Sequence, residues 1–123
     1  MRLSKEASKR LLRISRELRQ TCHKKTCENY EESPNECPEM CCDPKFLGYE
    51  TAIAWTIAKE LERFTADKSF KKESLRSFYS GTFLFQNVLS LTVYTVQKSQ
   101  EDRYNFLLDS LSNMRYIIRN QLS

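Results

Sequence analysis

The stretch TFLFQNVLSLTVYTV, residues 82–96, decides the fold class. Its odd positions Phe83, Phe85, Leu89, Leu91 and Val93 alternate as in a strand, and it is rich in β-branched and aromatic residues. A strand needs a partner, however. No other segment reads as β, and a lone two-stranded hairpin is marginal in water. The stretch therefore reads as a helix that continues ESLRSFYS (73–80) across Gly81. Being apolar nearly all round, it is expected at the centre of a bundle.

The flanking segments agree. Downstream, Ser99 reads as an N-cap with Asp102 three residues on. Tyr104, Leu107, Leu108, Leu111, Met114, Ile118 and Leu122 then form a stripe of three-four spacing. Phe106 and Ile117 fall together off that stripe and are the expected oligomer contact. Upstream, Asp43-Pro44 is a cap-then-proline start for a helix running to about Ala66. Phe46, Ile53, Ile57, Leu61 and Phe64 share its inner face. Glu50 and Glu60 also project toward that face, and Trp55 points away from it.

At 100° per residue, Leu3, Ala7, Leu11, Ile14, Leu18 and Cys22 fall within one arc of roughly 100°. Arg2, Lys5, Lys9, Arg13 and Arg16 occupy the opposite side within about 80°. This is an amphipathic first helix, with Ser4 as its cap. Between it and the second long helix, Ser33, Pro34 and Glu36 form the cap, first residue and reciprocal acid of a short helix over about 34–42. The expected architecture is all-α. It is a compact bundle of about four long helices forming a single domain over 1–123, with a cysteine-rich acidic hairpin at 22–44.

The totals fit this reading. The chain has 123 residues, two glycines and three prolines, so helix breakers are scarce and one domain is expected. The N-terminal MRLSKEASKRLL has no apolar run after its basic residues, unlike a secretory signal. The charge-free run Ser77–Gln97 is interrupted by Gly81, Gln86 and Asn87 and makes a poor membrane span. A cytoplasmic location without a membrane span is the expectation. The net charge of +4 hides an asymmetry. Residues 1–25 carry nine Lys/Arg against Glu6 and Glu17, whereas residues 26–45 carry six acids against Lys45. These adjacent blocks can neutralise one another.

Catalytic constellations are scarce. A single histidine excludes the paired Glu-x-x-His motifs of di-iron bundles. No phosphate-cradling glycine loop and no Gly-x-Ser-x-Gly elbow is present. His23 adjoins Cys22, but neighbours on a helix do not face each other.

All five cysteines fall between Cys22 and Cys42. Cys37 and Cys41 would share a face of the short helix. Cys22 and Cys27 converge if the first helix ends between them, which Lys24 and Lys25 favour. One reading is a structural zinc site from Cys22, Cys27, Cys37 and Cys41, with His23 or Cys42 as substitutes. An iron–sulfur cluster would use the same thiolates. A second reading is disulfides that staple the hairpin. Here Cys27 and Cys37, with nine residues between them, resemble one half of the twin C-x9-C hairpins of mitochondrial intermembrane-space proteins. The second C-x9-C is missing. The third is free thiols, with Cys22 an ordinary core residue. A reactive thiolate for redox or metal sensing is disfavoured by the six nearby acids, which raise a thiol's pKa.

The leading functional expectation is a non-enzymatic, self-associating interaction or regulatory module with a zinc- or disulfide-braced hairpin. A nucleic-acid-binding protein is the alternative. It would use Arg2, Lys5, Lys9, Arg13 and Arg16, flanked by Arg10 and Arg19, on phosphates or on another anionic partner. A thiol-based redox or metal-sensing protein is a third.

Overall fold

The computed structural model describes residues 1–20, 48–66, 68–95 and 98–123. Among them are four helices and no strand: α1 (Lys5–Gln20), α2 (Gly48–Thr65), α3 (Lys72–Thr92) and α4 (Lys98–Leu122). The fold is an all-α bundle. Within α3, Leu75, Thr82, Phe85 and Leu89 are buried, which is helical spacing. Strand alternation would bury Phe83 and Leu91 as well, yet they are 45% and 73% exposed.

The stripe of α1 packs as its sequence requires. Ala7, Leu11, Ile14 and Leu18 are buried, and Ser4 caps the helix by accepting a hydrogen bond at Oγ from the Ala7 N–H at 3.1 Å. On α4, Leu107, Leu111, Met114 and Ile118 are completely buried. Each such side chain contributes roughly 1.5–3 kcal/mol. These two helices run antiparallel and are tied near both ends. The Ser4 N–H donates to Gln121 Oε1 at 3.0 Å, and the Ser110 hydroxyl donates to Glu17 Oε2 at 2.9 Å.

The packing order corrects one expectation. Helix α1 packs against α2 and α4, α3 packs mainly against α4, and α3 touches α2 only lightly. Helices α1 and α4 form the centre, and the apolar α3 lies at the edge. Along the light α2–α3 seam runs an apolar groove of about 170 Å³ lined by Ile53, Ile57, Phe78, Gly81 and Phe85. Gly81 lies inside α3, where glycine costs about 1 kcal/mol relative to alanine. A Cβ built there meets nothing within 4 Å, so the chain's own packing does not require a glycine.

The α2–α3 connection is anchored by Phe70. Its N–H donates to the Met1 carbonyl at 2.9 Å, and the Met1 amino group donates to its carbonyl at 2.6 Å. The Phe70 ring meets Phe64 edge-on at 5.0 Å, and Phe64 in turn lies 5.4 Å from Phe78. Helix α4 starts at Lys98, which puts Ser99 in the first turn rather than at the cap, within the usual one-residue latitude of helix ends. No helix among the described residues is long and apolar enough to cross a membrane.

Candidate interaction surfaces

Five cations predicted to form one face do so. Lys5, Lys9, Arg13 and Arg16 are exposed along α1, and Arg2 is exposed just before it. This face lies opposite the buried stripe, so its charge costs nothing in desolvation within the monomer. Successive cations three to four residues apart follow a helix at about 5–6 Å intervals. No acidic residue falls within this arc, because Glu6 and Glu17 lie at its edge and Glu17 is engaged by Ser110. Such a row attracts anions at long range and is screened by salt.

Arg19 does not belong to that face, contrary to its reading as a flanking cation. Its residue exposure is 5%. Its Nε and Nη2 donate to Glu62 Oε1 and Oε2 at 2.8 and 2.7 Å, a bidentate pair that joins α1 to α2. The guanidinium also stacks 4.6 Å over the Trp55 ring. Trp55, expected to point outward, is therefore 7% exposed. The wheel places its Cα off the apolar arc, but the indole and the guanidinium cover one another. Glu60, expected near the inner face, is half-buried and accepts from Arg63 Nη1 at 2.9 Å. Beside this pair an open cleft of about 800 Å³ is walled by Phe64, Phe70 and Phe78. The Glu60–Arg63 pair at its edge is closed on itself.

Among the described residues, the largest uncovered apolar surface is on α3. Leu84 is 69% exposed, Val88 49%, Leu91 73% and Tyr94, just past the helix end, 87%. Phe83 borders them. Its ring lies 4.4 Å under the Arg115 guanidinium, which also stacks 4.4 Å from Tyr79. Arg115 Nη1 donates to Gln86 Oε1 at 3.2 Å, and Gln86 Nε2 donates to Ser112 Oγ at 2.7 Å. Gln86, which interrupts the apolar run in sequence, thus forms the polar seam between α3 and α4. A lone Arg on a polar helix face carries no sequence signal for such a sandwich.

The two residues expected as an oligomer contact differ in burial. Ile117 is 4% exposed and belongs to the core, while Phe106 is 42% exposed. The two share an azimuth but stand eleven residues apart, about 16 Å along the helix. Because α4 is packed by α1 on one side and α3 on the other, its buried arc is wider than one stripe, and Ile117 falls inside it. The zinc candidates Cys22, Cys27, Cys37 and Cys41, with His23 and Cys42, lie outside the described residues, as do Phe46 and the short helix over 34–42. Among the described residues, no group of three or more His, Cys, Asp or Glu side chains could hold a metal.

No family model, no curated protein and no solved structure matches this chain.

Proposed function

We propose that this chain is a non-enzymatic interaction module that binds another protein surface through the outer face of α3. One observation carries the reading. Leu84, Val88 and Leu91, with Tyr94 just past the helix end, form an uncharged, exposed row on a helix whose opposite face packs in the bundle. Contiguous apolar surface of this kind is unfavourable in water and marks contact sites. The zinc- or disulfide-braced hairpin remains part of the reading, and it rests on the cysteine spacing alone. A Leu84→Glu/Leu91→Glu variant alters the face without touching the core. Affinity purification from cells is expected to lose its co-purifying proteins, with the thermal midpoint of the purified variant unchanged. Retention of the same proteins in the same amounts overturns the proposal.

A second reading is favoured by the α1 face, with its five exposed cations and no acid among them. It would engage nucleic acid through phosphates with little sequence preference, because base-reading groups are lacking. Five phosphate contacts imply a log–log salt slope of about −4 to −5 on duplex DNA. Arg13→Glu/Arg16→Glu is expected to abolish that binding at moderate salt, measured by fluorescence anisotropy. Binding that does not respond to salt or to the charge reversal rejects this reading.

A further inference from the structure

We propose that the partner covering the outer face of α3 is a second copy of the same helix, packed antiparallel across a two-fold axis at Leu84. The inference rests on the reading of that face as an interaction surface and names its occupant. Three observations carry it.

The first is size complementarity. Past the exposed Glu73–Arg76 ion pair of its first turns, the outward arc of α3 has small residues before Leu84, Ser77, Ser80 and Gly81, and large ones after it, Val88 and Leu91. The two halves are equidistant from Leu84. An antiparallel copy centred there sets Val88 of one chain over Gly81 of the other. It likewise sets Leu91 into the space between Ser77 and Ser80, while the two Leu84 side chains meet on the axis. A parallel copy would set large on large and leave the small half unfilled. Large-into-small interdigitation is what gives helix interfaces interior packing density. It also accounts for Gly81, which leaves open space on the chain's own surface.

The second is charge. The run Ser77–Gln97 contains no Lys, Arg, Asp or Glu. A two-fold operation brings like groups together, so a self-pairing face must not repel itself, and this one carries nothing that would. A charged partner would find no counter-charge on the residues between Ser77 and Tyr94.

The third is area. With the aromatic rings taken at about 200 Å² each, Phe83, Leu84, Val88, Leu91 and Tyr94 together leave roughly 600 Å² of apolar surface uncovered. That is the top of the range for monomers, about 300–600 Å². With the small residues between them it approaches the roughly 800 Å² per partner of a stable interface.

Sedimentation velocity on the full chain tests the inference. Wild type is expected at twice the chain mass. Leu84→Glu, which sets two carboxylates against each other on the axis, is expected to be a monomer. Its affinity should fall roughly 100-fold or more, with unchanged far-UV helicity. Gly81→Leu is the second variant. It fills the socket for Val88 where the monomer has room, so association weakens while the thermal midpoint of the diluted chain holds or rises. A wild-type chain that stays monomeric at about 0.1 mM, or a dimer indifferent to both variants, overturns the self-pairing. If such a monomer still loses its co-purifying proteins in Leu84→Glu/Leu91→Glu, only the identity of the occupant has failed.

Discussion

Glu62→Ala is expected to lower the unfolding free energy by about 3 kcal/mol, a large share of the 5–15 kcal/mol typical of a domain. The loss comes less from the attraction removed than from what remains. The Arg19 side chain is 6% exposed under the Trp55 ring and keeps its charge without the bidentate carboxylate. Breaking a buried pair by removing one member typically costs about 3–5 kcal/mol. The lower end applies because the Glu62 side chain is 36% exposed, which lets water reach the vacated site. Replacing both partners with apolar residues, Arg19→Met/Glu62→Met, is expected to recover most of the loss, since the buried charge that lost its bidentate carboxylate goes with it. Urea denaturation of the two variants measures both effects. A change below about 1 kcal/mol in Glu62→Ala would place the pair among ordinary surface ion pairs.

The second large effect separates two leucines one turn-fraction apart. Leu89→Ala is expected to cost about 3 kcal/mol, because Leu89 is completely buried and the cavity left behind relaxes only in part. Leu91→Ala is expected within about 0.5 kcal/mol of wild type, because Leu91 is 73% exposed. Both are read at low protein concentration, where association does not contribute to the midpoint. In a strand the two positions would face the same side and respond alike. Equal losses would therefore contradict the helical assignment of residues 82–92, and unequal ones follow directly from it.

Much of the bundle is legible from spacing. The α1 stripe and the α4 stripe are long and periodic, and their members Leu11, Leu18, Leu107, Leu111 and Ile118 are among the completely buried residues. What spacing does not carry is the number of neighbours a helix has. Ile117 is buried because α4 is packed on two sides. Leu84 and Leu91 are exposed because α3 is packed on one. Residue type is the same kind of apolar in each case, and only the assembled helices distinguish them. Long side chains defeat the wheel for another reason. Arg19 reads as one more cation on a basic helix, yet its reach lets it lie flat over Trp55 and meet Glu62 forty-three positions away. The cations of the α1 face were legible because exposed charge is set by the opposite, apolar stripe alone.

The one-sided attachment of α3 has a consequence for how the molecule opens. Helices α1 and α4 each pack along two neighbours, whereas α3 is fastened along α4 and barely to α2. Its detachment requires losing little more than the α4 interface, so it opens at a lower free energy than the central α1–α4 pair. A second α3 packed on its outer face would supply the missing side. Association and local unfolding then draw on the same helix, and each shifts the other by mass action. Dilution would not merely separate the copies. It would also raise the population in which α3 has lifted away and the groove beside Gly81 stands open.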